Sequence, residues 1–480
     1  MAPPAAGETD MKRLNGVDAF MLGMETPKAY MHTFKVAIID PSTDPDGWSF
    51  DKYLAESARR IHLVPMLRWK YLDSPFGLNH PYWVEDPDFN LDYHIRRVAC
   101  PPPADHKALC EFMGSVYSYQ LDRDRPLWMQ WVVEGLADGK VAIVLLVHHA
   151  YVDGVGAAFL MQQFYLPEVG IKAGDAPPYN PPPLPSWPAR LGRALRDWPE
   201  VTIGNMPKVA RGLGRKYKLD RTRKKAGLPA HPSAGQMKQT PLNVAVSAGR
   251  TFVCDSIPLE RFKIVSKSLG VTINDIFSSC VAGAVRRLLI DLDYNPDMHP
   301  LIGATPFAGK RPEGAEGIGN YATQDFSWLR SDIADPRERL QASHEANVEM
   351  KAHLKEVQEA GADMNALMQV VPPFAVKLLR KAIHRQGGRF GMFGNLVLSN
   401  VPGPKEALYL DRWKVANWFS TGQIIDGSAL NITMWSYCGQ ANVCILIDRE
   451  ILRDGWGLYG YFVDELNSLV ALAENKEPVA

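Results

Sequence analysis

Two adjacent histidines, His148 and His149, end the apolar run in "VAIVLLVHHAYVDGVGAAFL" (141–160), and Asp153 and Gly154 follow them. Alternate side chains of a strand point to opposite faces, so the two histidines do different jobs. A histidine whose pKa lies near neutrality can take a proton from an attacking hydroxyl or thiol, and a carboxylate held nearby can fix the local geometry. Gly154 lets the backbone turn tightly and leaves room for a substrate. That chemistry is general-base catalysis of a group transfer. The simpler alternative is a pair of satisfied polar residues closing a strand. No Ser or Cys accompanies the pair in a nucleophile motif such as G-x-S-x-G, so direct transfer within a ternary complex is more economical than a covalent intermediate.

The elements around the pair must hold it in a strand-to-helix turn. "LWMQWVVEGL" and "KVAIVLLV" flank the turn signal "ADG", which predicts an antiparallel hairpin ending at the histidines, and "GVGAAFLMQQFYL" (154–166) predicts the helix that follows. Upstream, "MHTFKVAIID" (31–40) suits a strand, while "DKYLAESARRIHL" (51–63) and "ADHKALCEFMGSVYSYQL" (104–121) have helical spacing. From Pro167 to about Pro241 the composition changes: "APPYNPPPLPSWP" cannot form a regular core element, because each proline lacks a donor and restricts its predecessor. The stretch reads as an interdomain connection, and nine Lys/Arg between Lys208 and Lys225 face a single Asp220 in it. Such a density fits either a solvated helix face or an anionic partner. A second unit follows, with "RTFVCDSIPL" as a strand, "ERFKIVSKSLG" and "NDIFSSCVAGAVRRLLIDL" as helices, a late hairpin "ALNITMWSYCG"/"QANVCILID", and a terminal helix near "YFVDELNSLVALA".

Composition bounds the reading. A chain of 480 residues with 46% hydrophobic residues suggests two or three domains with sizeable cores. Lys+Arg and Asp+Glu are both 53, so no global basic excess argues for nucleic acid. Six cysteines without a C-x-x-C pair fit reduced thiols in a reducing compartment and argue against a structural zinc site. The N-terminus "MAPPAAGETDMKRLNG" reads as a flexible tail rather than a signal peptide, and no apolar run reaches the roughly 18 residues of a membrane-spanning helix. The expectation is a cytoplasmic protein that is soluble or peripheral to a membrane.

The residues also carry a resemblance. "HHAYVDG" matches the HHxxxDG motif of CoA-dependent acyltransferases and condensation domains. Further blocks resemble the wax ester synthase/diacylglycerol acyltransferase family: "YWVEDPDFNLDYHIRRVACP" (82–101), "RPLWMQWVVEGL" (125–136), "TINDIFSS" (272–279), "LSNVPGP" (398–404) and "NITMWSYCG" (431–439). The resemblance runs from about Met11 to Ala471; HHxxxDG alone is moderately specific, and the ordered blocks are strongly so. One departure is "ATPFAGKR" (304–311), where relatives often read Pro-Val-Ser with an arginine shortly after.

The resemblance implies an α/β (α+β) fold of two chloramphenicol-acetyltransferase-like mixed-sheet domains, at 11–166 and 241–480, joined by the linker 167–240, with a tunnel between them. It implies His149 as the base, His148 as its support, and Asp153 as a structural carboxylate partnered by Arg68 of "VPMLRWKY". Asn274 and Asp275 are ordinary helix caps by type, and the resemblance turns Asn274 toward the site. Ser399 and Asn400 would line the tunnel, although turn formation explains them nearly as well. The implied reaction moves a fatty acyl group from acyl-CoA, a co-substrate, to a long-chain alcohol or diacylglycerol, with no metal or redox cofactor. Alternatives are another alcohol, amine or thiol acceptor, or a lipid-binding protein without catalysis. The basic run together with "MQVVPPFAVKLLRKAI" (368–383) suggests a peripheral membrane or lipid-droplet surface.

Overall fold

The computed structural model describes residues 11–199, 203–228, 231–309, 319–360, 364–389 and 392–475. The first half begins with β1 (Lys12–Arg13) and α1 (Gly16–Met24), whose N-terminus is capped by Asn15 accepting from the Asp18 amide at 2.8 Å. There follow β2 (His32–Asp40), α2 (Phe50–Arg60), β3 (Trp69–Leu72) and β4 (Tyr82–Glu85). The one-turn α3 (Leu91–His94), β5 (Ile95–Ala99) and α4 (His106–Tyr117) lead to β6 (Trp128–Glu134), β7 (Val141–His148) and α5 (Gly154–Phe164). The hairpin, the motif turn and the helix after it therefore stand where the apolar pattern puts them.

Residues 172–186, rich in proline, carry neither helix nor strand. The rest of the connection is more regular than its composition suggests. It holds α6 (Trp187–Trp198), capped by Ser186, and the 20-residue basic helix α7 (Met206–Lys225). Straight-chain Lys and Arg lose little rotamer freedom in a helix, so this basic helix forms with only Val209 and Arg223 of its side chains buried.

The second half runs β8 (Arg250–Pro258), α8 (Leu259–Leu269) and α9 (Ile273–Asp291). Gly270 ends α8 at φ +70°, a left-handed cap that a side chain would strain. Next come β9 (Leu301–Phe307), β10 (Thr323–Leu329), α10 (Pro336–Ala360), α11 (Met364–Val370) and α12 (Pro373–Arg385). The chain closes with β11 (Leu396–Val401), β12 (Tyr409–Leu410), β13 (Trp413–Thr421), β14 (Leu430–Tyr437), β15 (Gln440–Asp448) and α13 (Trp456–Glu474).

Each half centres on a six-stranded mixed sheet. The first has the order β12-β13-β2-β7-β6-β5, and the second β10-β9-β11-β14-β15-β8. The halves are interleaved: β13 pairs with β2 from Thr421↔Phe34 to Lys414↔Asp40, so residues 409–421 complete the sheet that carries the histidine pair. Buried strand residues such as Val144, Leu146 and Val147 anchor that sheet, and truncating Leu146 to Ala would cost about 2–5 kcal/mol. Among the described residues no single helix is long and apolar enough to cross a membrane; the bent pair α8 and α9 passes by composition, but α9 is a core helix with most of its side chains buried.

Candidate active site

β7 delivers the motif by an ordinary ladder that stops at His148. The His148 amide donates to Leu127 O at 2.9 Å and the His149 amide to Met31 O at 2.7 Å, after which the Tyr151 amide turns back to His148 O at 3.0 Å. Helix α5 then needs a cap, which Asp153 supplies: one carboxylate oxygen accepts from the Gly156 amide at 2.9 Å. Its second oxygen accepts from the Tyr321 amide at 2.9 Å, tying the motif turn to the second half. Gly154 is exposed, and a Cβ there would meet nothing within 4 Å, so space lies open in front of the turn.

His149 is half-buried and packs beside Asn320, whose amide nitrogen lies 2.9 Å from the ring Nδ1. Asn320 is itself fixed, its backbone amide donating to Asp18 at 2.9 Å and its side-chain oxygen accepting from the Ala322 amide at 3.1 Å. Burial, and after it the nearby Lys35 charge, push the His149 pKa down to about 4, so the ring is neutral at physiological pH. His148 points the other way and is fully buried, its Nδ1 accepting from the Ala150 amide at 3.0 Å. Its Nε2 stands 3.8 Å from the buried Glu25, which also lies 3.5 Å from His32 and 3.6 Å from Arg123. Burial pushes the His148 pKa down to about 3. The pair thus divides as strand alternation requires: His148 locked in a polar cluster, His149 beside open space.

On the face of the sheet that Leu145, Val147 and His149 share, α5 and α2 cover an apolar cavity that is partly open to solvent. Its walls include Ile143, Leu145, Leu160, Met161, Phe164 and Trp418. The cavity lies within the first half, under α5. Lys35 on β2 reaches it from the sheet and donates to Thr33 Oγ1 at 2.8 Å and Ser420 Oγ at 2.7 Å. Burial pushes the Lys35 pKa down to about 7.

The remaining expected residues fall elsewhere. Arg68 is not paired with Asp153; its guanidinium sits 4.4 Å from the Tyr179 ring centroid, a stacking contact. Asp153 accepts from the backbone amides of Gly156 and Tyr321. Asp275 closes a capping box with Thr272 and accepts from His344 at 2.8 Å and Asn347 at 2.9 Å, so it joins α9 to α10. Asn274 is half-buried in the same first turn, and no described contact brings it or Asp275 to His149. Ser399 and Asn400 lie on β11, paired in register with Thr433 and Met434 of β14, just before the Pro-Gly-Pro turn. Of "ATPFAGKR", Lys310 and Arg311 lie outside the described residues. Sequence reasoning missed Asn320, which no motif flags. It also missed Lys35, whose only signal is a charge in the middle of an apolar strand.

Among the described residues, two groups could in principle ligate a metal. His106, Cys110 and Cys254 cluster, but His106 Nε2 is spent on the Cys254 carbonyl at 2.6 Å. His231 and His353 share Asp325, yet their rings stack at 3.5 Å and 14°, so their in-plane lone pairs run parallel instead of converging on one ion.

The site is thus an HHxxxDG turn on a two-sheet α/β fold that also holds an apolar cavity. Comparison with known proteins carries this further. The wax ester synthase/diacylglycerol acyltransferase catalytic domain matches residues 14–277, and the C-terminal domain of the same family matches 318–470. A Mycobacterium tuberculosis protein named for diacylglycerol O-acyltransferase activity is 45% identical over 465 residues, covering 96% of this chain and 98% of its own. An O-acyltransferase of Acinetobacter baylyi is 28% identical, covering 98% and 99% of the two chains. The wax ester synthase/diacylglycerol acyltransferase of Marinobacter aquaeolei superposes with a TM-score of 0.66 at 25% identity over 97% of this chain and 100% of that one. The first condensation domain of the calcium-dependent antibiotic synthetase, 16% identical, shares the fold with a TM-score of 0.59 over 98% of each chain. The chain belongs to the wax ester synthase/diacylglycerol acyltransferase family, and it is an acyltransferase.

Proposed function

We propose that the protein transfers a fatty acyl group from acyl-CoA to the hydroxyl of a long-chain alcohol or diacylglycerol, with His149 as general base and no metal or redox cofactor. The observation that carries this reading is a neutral, half-buried histidine on the same sheet face as an apolar cavity. The acceptor oxygen attacks the thioester carbon as its proton passes to His149, and the tetrahedral oxyanion collapses to expel the CoA thiolate, which takes the proton back. The names of the relatives support a lipid acceptor.

Asn320 sets which ring nitrogen is basic. With its NH2 group toward Nδ1, as the Ala322 bond orients it, Asn320 leaves the ring proton on Nε2. Asn320 is thus a positioning residue.

A lipid surface would hold such an enzyme near its acceptor. On α7, Arg211, Arg215, Lys218, Arg221, Lys224 and Lys225 are exposed alongside Met206, Leu213 and Tyr217, and α12 exposes Phe374, Leu378 and Leu379. Cations near an anionic leaflet contribute about 1 kcal/mol each, and apolar side chains add to that. The test of the reaction is radiolabelled acyl-CoA offered with a long-chain alcohol and with diacylglycerol, the products resolved by chromatography. Labelled wax ester or triacylglycerol is expected; label appearing only as free fatty acid would contradict the reading.

A further inference from the structure

Lys35 is the one charged side chain among the residues that line the apolar cavity, and it is 6% exposed. A buried cation is costly unless paired, the effective penalty being several kcal/mol. Here the pairing is incomplete. An ammonium has three donors; two meet the hydroxyls of Thr33 and Ser420, and no carboxylate of the described residues stands within ion-pairing distance. The Thr33 hydroxyl donates onward to Thr421 O at 2.7 Å, so its lone pair is committed to Lys35 and the amine is held in place. A cavity meant only for hydrocarbon gains nothing from such a group.

Register places the amine along the cavity. Lys35 pairs with Leu145, four residues before His149 on the same face, and its side chain runs back to Thr33, which pairs with Val147. At roughly 3.4 Å per residue, the amine is level with a point about 7 Å short of His149, a few carbon–carbon bonds from the reacting carbonyl.

We propose that Lys35 is a specificity-determining residue that reads an oxygen atom carried on the fatty acyl chain, so that the favoured donors are hydroxyacyl or oxoacyl thioesters oxygenated toward the carboxyl end. This rests on reading the cavity as the acyl site. As the ammonium, the amine keeps one N–H beyond those given to Thr33 and Ser420 and donates it to such an oxygen.

The test uses the full chain with palmitoyl-CoA, a hydroxypalmitoyl-CoA substituted near the carboxyl end, and one substituted at the chain terminus, comparing kcat/KM. The wild type is expected to favour the carboxyl-proximal hydroxy donor about tenfold over palmitoyl-CoA, the worth of one hydrogen bond to a charged group. Lys35→Met is expected to reverse that order, and Lys35→Gln, which keeps a donor, to retain part of it. Equal use of the donors by the wild type, which needs no variant to fold, would overturn the proposal. So would a parallel loss on all donors in a folded Lys35→Met protein. Failure of the wild type to use any acyl-CoA would instead overturn the acyl-site reading beneath it.

Discussion

Asn320, from the second half of the chain, stands 2.9 Å from Nδ1 of His149, the residue that follows β7 of the first. The proposed base and its orienting group therefore come from different halves of the chain. Replacing Asn320 by Ala should lower kcat by about 10- to 100-fold with a smaller change in KM, the usual effect of losing an orienting partner. Asn320→Asp, which can only accept from the ring, should restore part of the loss and raise the acid limb of the pH profile. Steady-state kinetics over pH decide it; a kcat unaffected by Asn320→Ala would remove the orienting role.

Asp153 spends both oxygens on backbone amides, those of Gly156 and Tyr321. Asp153→Ala removes a helix cap worth about 1 kcal/mol and leaves two amides without these acceptors, at about 1–3 kcal/mol each when buried. Thermal melting should show a clear loss of stability together with the loss of activity. Asp153→Asn, which still caps, should lose less of both. Unchanged melting in Asp153→Ala with abolished activity would mean that the carboxylate acts in the chemistry.

The pH dependence follows from burial. The His149 pKa in the fold, about 4, lies below the ordinary value of about 6.5, so the folded state favours the neutral base. In kcat/KM the acid limb should fall near pH 4, and Lys35→Met, which removes a neighbouring positive charge, should move it upward. The sign for stability is the same: between about pH 6.5 and 4 the unfolded chain binds more protons than the fold, so stability falls as pH falls through that window. His148, pushed down to about 3, and His94, pushed down to about 4, add to this. Equilibrium denaturation at pH 7 and pH 4.5 measures it, and equal stability at both would contradict the burial account.

Four cations of the basic helix, Arg215, Arg221, Lys224 and Lys225, are exposed and can be changed to Gln together. Arg223 must be spared, because it is buried and paired with Glu349 and with Glu356, the latter at 2.7 Å. Flotation with anionic liposomes should weaken in the variant, and in the wild type with added salt, as the Debye length of about 8 Å at physiological ionic strength shortens. Unchanged flotation with a raised acyl-CoA Michaelis constant would assign the helix to CoA instead.

What the sequence reveals here is local, and what it hides is assembled from a distance. The hairpin, the motif turn and α5 are legible because apolar alternation, a turn dipeptide and a cap occupy adjacent positions between Trp128 and Phe164. The insertion of β13 beside β2 is invisible, since Trp413–Thr421 has the pattern of any buried strand and its partner lies nearly 400 residues earlier. Asn320 is hidden for the same reason. The Arg68 expectation fails because its guanidinium stacks on Tyr179, more than 100 positions later in the chain, a contact that no local pattern announces. Helix α7 is hidden by its polarity: with only Val209 and Arg223 buried, it leaves no periodic apolar signal.

The central claim is that His149 and not His148 takes the acceptor proton, and single-turnover acyl transfer by the two alanine variants tests it most directly. His149→Ala should slow transfer by about 100- to 10,000-fold while acyl-CoA affinity and melting temperature hold. His148→Ala should lose less in the chemical step and more in stability, because it breaks the buried cluster around Glu25. A His149→Ala protein that transfers acyl groups at nearly the wild-type rate, beside an inactive but folded His148→Ala protein, would contradict the assignment.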